Sequence, residues 1–164
     1  MSAYVPANLS AIGLEKYLHE KIPLTRPMAM HVARCDSERL VLEAPLDANS
    51  NHLGTAFGGS LHALPMLACY SVLWRVLKEG GVDGHVVVKR SSANYREPVQ
   101  GLLRATCVCP SAELVAEFLA DLRRHGKARM ELSAAVDGAN GKSAVQFEGS
   151  FVALVSELEP EPTL

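Results

Sequence analysis

The feature that most constrains the fold is a long uncharged stretch in the first half of the chain. Residues 51–77 read NHLGTAFGGSLHALPMLACYSVLWRVL, and no formally charged residue occurs between positions 53 and 74. A run of about 20 apolar residues is long enough to span a bilayer. The glycines at its start and Pro65 shorten the helical part below that length. We therefore expect a helix that is apolar on every side and is buried by the rest of the protein.

The start of this predicted helix is rich in glycine. Gly58 and Gly59 would let the chain turn sharply into the helix, which is a structural reason for their presence. They would also let a ligand approach the free backbone N–H groups and the partial positive charge of a helix N-terminus. We interpret this end of the helix as a candidate site for an oxyanion or a polarised carbonyl.

The segments on either side predict a mixed fold. Apolar periodicity predicts amphipathic helices over 9–22 and 111–125. Six strands are predicted, over residues 28–34, 39–44, 85–93, 102–109, 127–136 and 143–155. The order is helix, hairpin, buried helix, hairpin, surface helix, hairpin. It predicts an α+β fold in which an antiparallel six-stranded sheet curls around the buried helix, as a single domain over 1–164. The core would span about 8–155, followed by an acidic, proline-bearing tail over 156–164.

Charge and composition argue against several classes of partner. The net charge of −2 is spread without a basic patch, so we expect no nucleic-acid partner. The N-terminus lacks a basic region followed by an apolar signal core, which predicts a cytoplasmic protein with no membrane association. The spacing of the four cysteines lacks the pattern of a zinc site, so we expect reduced thiols, no metal and no cofactor: Cys35, Cys69, Cys107 and Cys109.

Two motifs, NHLGTAFGGSL at the start of the buried helix and ANYREPVQGLL after it, resemble the hotdog-fold acyl-CoA thioesterases. The similarity is closest to the group typified by the YiiD C-terminal domain and extends over residues 8–155. The resemblance implies the hotdog fold, in which an antiparallel sheet curls around a central helix. It also implies an acyl-CoA or acyl-carrier-protein substrate. The expected assembly is a homodimer or a dimer of dimers with sites across the protomer interface.

The family's site pattern matches this chain in part. Related hotdog thioesterases have an asparagine, a glycine three residues later, a His-Gly-Gly sequence and an acidic residue seven positions after the last glycine. Four positions fit this pattern: Asn51, Gly54, Gly58 and Gly59. Phe57 replaces the histidine, and Met66 replaces the carboxylate that acts as nucleophile or general base in the family. Methionine can perform neither role, so another group would have to act as the base.

The resemblance gives three candidate catalytic residues. The backbone N–H of Gly59 would polarise a thioester carbonyl. Asn51 would orient water or the thioester, although asparagine also forms loops through its own side-chain hydrogen bonds. His62 precedes Met66 by one helical turn and could replace the missing carboxylate as a base. A lone histidine on an apolar helix is nevertheless more often a packing residue.

Further residues are candidates for binding the substrate. Ser60 could bind it or cap the helix, and capping is the favoured interpretation. Arg90 and Arg96 could contact the phosphates of coenzyme A, although basic residues are common on exposed strands. The full set of substrate-binding candidates is Gly54, Thr55, Phe57, Gly58, Ser60, Met66, Arg90 and Arg96.

Three functions remain open. The first is hydrolysis of acyl-CoA or acyl-carrier-protein thioesters. The second is a non-catalytic acyl-thioester binding protein that kept the pocket and lost the base, which Met66 would explain. The third is a hotdog enoyl-CoA hydratase, because Asp47, Asn49 and His52 have the D-x-N-x-x-H spacing of those enzymes. Ser50 stands where those enzymes have proline, so we interpret this match as chance.

Overall fold

The computed structural model describes residues 10–157, and this range contains three α-helices and six β-strands. The helices are α1 (Ala11–Lys21), α2 (Gly58–Glu79) and α3 (Ala112–His125). The strands are β1 (His31–Cys35), β2 (Arg39–Ala44), β3 (Gly84–Tyr95), β4 (Leu103–Val108), β5 (Lys127–Asp137) and β6 (Ser143–Val155). Most of the predicted acidic tail, from residue 158 onward, lies outside the described residues.

The six strands form one antiparallel sheet in the order β1-β2-β4-β5-β6-β3. The predicted hairpins β1–β2 and β5–β6 are confirmed. The predicted hairpin of β3 and β4 is wrong, because β3 pairs with β6 and β4 pairs with β2 and β5. The connection over 96–102 contains Pro98, which cannot donate a ladder hydrogen bond. This connection contacts the loop before α2, where the N–H of Ala56 donates to the Val99 carbonyl at 2.8 Å. Within the described chain, β3 is therefore an edge strand beside the loop that precedes α2.

The helix α2 is the centre of the hydrophobic core. It packs against strands β2 to β6, and the residues it buries lie on all of its faces: Leu61, Leu64, Pro65, Leu67, Ala68, Cys69, Ser71, Val72, Leu73, Trp74, Val76 and Leu77. The predicted buried helix is therefore confirmed. Among residues 10–157, α2 is the one helix long and apolar enough to cross a membrane. However, 67% of its most apolar 18-residue stretch is buried, as in the core helix of a globular protein. The prediction that the glycines and Pro65 shorten this helix below a membrane-spanning length is wrong, because α2 begins at Gly58 and continues through Pro65 for 22 residues.

The other two helices cover parts of this core. Tyr17 of α1 stacks on Trp74 with ring centroids 4.3 Å apart, and its hydroxyl lies 2.9 Å from that of Tyr70. The amphipathic helix α3 buries Phe118 and Leu122, as its apolar stripe predicts. The contacts of Tyr17 fix the second half of α2, whereas its first turn lies against the loop that precedes it and against Tyr95.

Candidate active site at the start of the central helix

The side chain of Asn51 builds the loop that precedes α2. Its amide nitrogen donates to the Thr55 hydroxyl at 2.9 Å and to the Ala56 carbonyl at 3.4 Å. Its amide oxygen accepts from the N–H groups of Leu53 at 2.9 Å and Thr55 at 3.2 Å. An asparagine amide has two donor hydrogens and two acceptor lone pairs, so its capacity is fully used within the loop. The geometry supports a loop-forming role for Asn51, and its role in placing water stays a prediction.

The same loop fixes where α2 begins. Gly54 has a φ of 74°, a left-handed conformation that favours glycine, and its N–H donates to the Asn51 carbonyl at 3.1 Å. The N–H of Phe57 donates to the Asn49 carbonyl at 2.7 Å, which anchors the last residue before the helix. Gly54 and Thr55 therefore shape the loop, which positions the glycines at the start of α2.

The N-terminus of α2 has no side-chain cap. The helices α1 and α3 each follow a serine whose hydroxyl accepts a backbone N–H, whereas α2 follows Phe57, which makes no such bond. The first intrahelical hydrogen bond runs from the N–H of Leu61 to the Phe57 carbonyl at 3.0 Å. The N–H groups of Gly58, Gly59 and Ser60 therefore have no intrahelical acceptor, and the helix dipole adds partial positive charge. This arrangement suits a substrate oxygen that gains negative charge.

The prediction that Ser60 caps this helix is wrong. The helix starts two residues earlier, at Gly58, so Ser60 lies inside the first turn and cannot supply an N-cap. No hydrogen bond from its hydroxyl is present within residues 10–157, and Ser60 stays a candidate for contacting a substrate.

Phe57 covers the α-carbon of Gly59. A β-carbon added at Gly59 would overlap the Phe57 ring, so the present ring position requires glycine at 59. The Phe57 side chain is also 55% exposed, which leaves the ring free to move toward solvent. Phe57 is therefore placed to contact or admit a molecule that approaches the helix N-terminus.

His62 faces strand β3 from the second turn of α2. Its Nε2 atom lies 3.0 Å from the hydroxyl oxygen of Ser91, and both side chains are partly buried. The imidazole also meets the Phe147 ring edge-to-face, with centroids 5.3 Å apart. Sequence analysis identified His62 and missed Ser91. No local signal pointed to Ser91, because a β-bulge between Val88 and Arg90 interrupts the alternation along β3. After the bulge, residues 91 and 93 are partly buried on the face toward α2.

Tyr95 also contacts the first turn of α2 and was missed. Its hydroxyl donates to the Gly58 carbonyl at 3.1 Å, and its side chain is 49% exposed. Tyr95 belongs to the ANYREPV motif, which contributed to the resemblance, so the sequence contained a signal for it. Ser91 and Tyr95 together show that the second half of β3 runs beside the first two turns of α2.

The remaining candidates differ in their position. Met66 lies one turn beyond His62 and packs partly buried against the core, where it offers no ionisable group. Arg90 precedes Ser91 on β3, so its exposed side chain is on the opposite face of the sheet. The guanidinium of Arg96 donates to the side-chain oxygen of Gln146 at 2.8 Å. The structure does not bring either arginine to the helix N-terminus, and their contact with coenzyme A stays a prediction.

The residues with hydratase-like spacing do not form a shared site. Asp47 and His52 are both exposed. Asn49 is buried, and its amide nitrogen donates to the carbonyls of Met28 at 2.9 Å and Pro45 at 2.8 Å, which makes it a structural residue. This geometry gives no support to the hydratase interpretation.

The cysteines offer poor nucleophiles at neutral pH. A hydrogen bond with the Cys107 thiol, together with burial, raises the pKa of Cys69. Burial raises the pKa of Cys109 to about 11 and also raises the pKa of Cys35. Within residues 10–157, no group of three or more His, Cys, Asp or Glu side chains is arranged to hold a metal ion. His62 and the N–H groups of α2 are thus the chemically useful groups at this end of the helix.

The protein has a six-stranded antiparallel sheet packed around a central helix, which is the hotdog fold of structures described as thioesterases. The start of that helix carries free N–H groups and the hydrogen-bonded pair of His62 and Ser91. The profile of the family described as "Putative thioesterase (yiiD_Cterm)" matches residues 12–155. The chain belongs to this family, which confirms the resemblance found in the sequence.

Solved structures agree with this assignment. A protein of unknown function from Chlorobaculum tepidum TLS is 29% identical, with a TM-score of 0.85 over 92% of this chain and 100% of its own. The "putative thioesterase from Shewanella oneidensis" is 26% identical, with a TM-score of 0.78 over 88% of this chain and 96% of its own. A thioesterase from Haemophilus influenzae shares the fold at 13% identity, with a TM-score of 0.66 over 89% of this chain and 91% of its own.

Proposed function

We propose that the protein hydrolyses acyl thioesters of coenzyme A or of acyl carrier protein. One observation carries this proposal: the uncapped N-terminus of α2 lies beside a histidine that is hydrogen-bonded to a serine hydroxyl. The first element can stabilise a developing oxyanion, and the second can move a proton. Membership of a thioesterase family supports the reaction class.

The helix N-terminus would bind the thioester carbonyl. Attack on the carbonyl carbon places negative charge on its oxygen, and the N–H groups of Gly58, Gly59 and Ser60 are placed to stabilise that charge. The carbonyl oxygen would approach the N–H of Gly59 after the half-exposed Phe57 ring moves aside. The ring would then pack against the bound substrate.

His62 would act as the proton acceptor. The family's carboxylate position is occupied by Met66, and positions 53–74 contain no acidic residue. An imidazole within 3.2 Å of a hydroxyl oxygen meets the distance requirement for a general base, as His62 and Ser91 do at 3.0 Å. The net reaction consumes one water and yields a carboxylic acid and a free thiol.

A panel of substrates tests this function. Acyl-CoA esters of increasing chain length, and the corresponding acyl-carrier-protein thioesters, are incubated with the protein while free thiol is measured. We expect saturable thiol release from at least one member of the panel, and the ratio of kcat/KM values identifies the preferred acyl chain and carrier. If no thioester is hydrolysed, the proposed function is wrong.

The second candidate is a binding protein for acyl thioesters, which the absence of a carboxylate at Met66 favours. The two candidates give opposite expectations for Met66→Asp. If His62 is the base, the parent is active and the new carboxylate should change kcat by less than about 10-fold. If the base has been lost, the parent is inactive and Met66→Asp should raise the rate of thiol release by about 10²–10⁴-fold. Met66→Leu, which conserves volume, is the matched control.

We also propose that the protein is a homodimer or a dimer of dimers joined at the edge strand β3. An unprotected strand of 12 residues presents a row of unpaired backbone groups. Val87 and Val88 on this strand have apolar side chains, yet they are 46% and 42% exposed. Because Ser91 lies on the same strand, each site would then be next to the partner protomer.

Light scattering tests this assembly. At micromolar concentration we expect a mass of two or four times the protomer mass of 17.6 kDa. Val87→Lys in the edge strand should shift the mass toward the protomer, because a charge would be buried between the strands. Glu117→Lys, at an exposed position of α3 outside this strand, serves as the comparison and should keep the parent mass. A parent protein with a mass of 17.6 kDa would exclude this assembly.

The expected cellular location is the cytoplasm. The four cysteines are all reduced, which agrees with a compartment where thiols are kept reduced. Fractionation of cells that produce the tagged chain would test this location.

A further inference from the structure

The pair formed by Ser91 and His62 has the geometry of a nucleophile and its base. We propose that Ser91 is the nucleophile of this enzyme and that the reaction proceeds through an acyl-serine ester. This inference rests on the proposed thioesterase function and specifies how it is carried out. Ser91 is not one of the positions in the family's site pattern. That pattern relies instead on the carboxylate that Met66 replaces.

The distance and the position of the two side chains support this role. A serine becomes nucleophilic when a base lies within about 2.6–3.2 Å of its hydroxyl, and Ser91 Oγ is 3.0 Å from His62 Nε2. Both residues are partly buried between α2 and β3. With a proton on Nδ1, the imidazole accepts the Ser91 hydroxyl proton at Nε2.

The register of β3 places this pair one helical turn from the first residue of α2. Tyr95 is bound to the Gly58 carbonyl at 3.1 Å, and Ser91 is bound to His62 one helical turn further along. Residues 91 and 95 are on the same face of the strand, so β3 follows the first two turns of α2. A thioester whose carbonyl oxygen meets the N–H of Gly59 would then present its carbonyl carbon toward this strand.

Other candidate nucleophiles fit less well. Ser60 lies on the first turn of α2, but its hydroxyl has no base beside it within residues 10–157. Cys69 and Cys107 are fully buried. Cys109 lies near the turn after β1, where its thiol is 3.7 Å from the Asp36 carbonyl, and its pKa of about 11 keeps it protonated. Among the nucleophilic side chains of residues 10–157, Ser91 alone combines partial exposure, a base and proximity to the helix N-terminus.

The reaction balances with water as the co-reactant. As Ser91 Oγ attacks the thioester carbon, its proton moves to His62 Nε2 and the carbonyl electrons move to the oxygen. The C–S bond then breaks, the sulfur takes the proton from His62, and the thiol leaves an acyl-serine ester. Water next gives a proton to His62 and attacks the ester carbon. The bond from that carbon to Ser91 Oγ breaks, Ser91 regains its proton, and the carboxylic acid departs.

Intact-protein mass spectrometry after acid quench tests the intermediate. Parent protein mixed with the acyl-CoA that it hydrolyses should gain the mass of one acyl group, and peptide mapping should place that group on Ser91. Ser91→Ala should gain no acyl mass and should lose about 10³-fold or more in thiol release. Ser91→Cys should form the corresponding acyl-thioester adduct, because a thiol is also a competent nucleophile.

Ser92→Ala is the matched control, because Ser92 is the next residue of β3 and is exposed on the opposite face of the sheet. It should keep the parent rate and the parent adduct, and the melting temperatures of all variants should match that of the parent. If Ser91→Ala hydrolyses the substrate at the parent rate, or if the parent turns over without an adduct on Ser91, this inference is overturned and the thioesterase function stands. If the parent releases no thiol from any thioester, the proposed function itself fails and the inference fails with it.

Discussion

Replacement of His62 by alanine should lower kcat for thiol release by about 10²–10⁴-fold, the range expected when a placed general base is removed. The physical reason is the Nε2 atom, which lies 3.0 Å from the Ser91 hydroxyl oxygen and can accept its proton. Alanine keeps the helix and opens only a small space beside Phe147. The affinity for acyl-CoA should stay within a few-fold of the parent, because the N–H groups of α2 are unchanged.

Two further variants separate catalysis from packing. His62→Gln keeps a polar group that can bond Ser91 but cannot accept a proton near neutral pH, so it should be as inactive as His62→Ala. His52→Ala changes an exposed histidine of the preceding loop and should retain the parent rate. Steady-state kinetics and calorimetric binding measured on all four proteins show the result. Parent-like turnover in His62→Ala would mean that His62 is a packing residue.

Replacement of Gly59 by valine should lower kcat/KM by about 10²–10³-fold, the usual effect of losing one oxyanion donor. A side chain at this position overlaps the Phe57 ring, which must swing toward solvent, and the valine methyl groups then cover the N–H groups at the helix start. The fold should persist, since Phe57 is already 55% exposed and can move without opening the core. Thiol-release kinetics with a thermal melt on the same samples would show both effects.

Gly101→Val provides the matched control for this substitution. A β-carbon added at Gly101 meets no other atom within 4 Å, so the same change there should leave activity unaltered. The double variant Phe57→Ala/Gly59→Val shows whether the displaced ring or the valine itself is responsible. If the double variant recovers the parent rate, the ring caused the loss; if the single variant is fully active, the N-terminus of α2 does not bind the carbonyl.

The helix α2 could be predicted from the sequence because its signal is local. The uncharged run over 53–74 requires burial wherever it lies, and the structure surrounds it with strands β2 to β6. The amphipathic stripe of α3 and its stop at Gly126, which has a φ of 73°, were equally local. Family membership followed from the motifs at the start of α2 and the end of β3.

The pairing of β3 and β4 and the contact between His62 and Ser91 could not be predicted from local sequence signals. Residues 85–93 and 102–109 are neighbours in sequence and were predicted to pair, but their partners are decided by how the sheet closes around α2. Ser91 and His62 are brought together by that same long-range packing. The predicted cap at Ser60 failed because the helix started earlier, where Gly58 and Gly59 accept helical geometry without a side-chain cap.

Simultaneous measurement of turnover and binding on one sample tests the central claim that acyl thioesters are hydrolysed at the N-terminus of α2. Parent, His62→Ala and Gly59→Val proteins are each titrated with the same acyl-CoA, with thiol release and heat of binding recorded in parallel. We expect the parent to bind and to release thiol, His62→Ala to bind without release, and Gly59→Val to lose both. A parent protein that binds acyl-CoA and releases no thiol would contradict the account and would identify a binding protein for acyl thioesters.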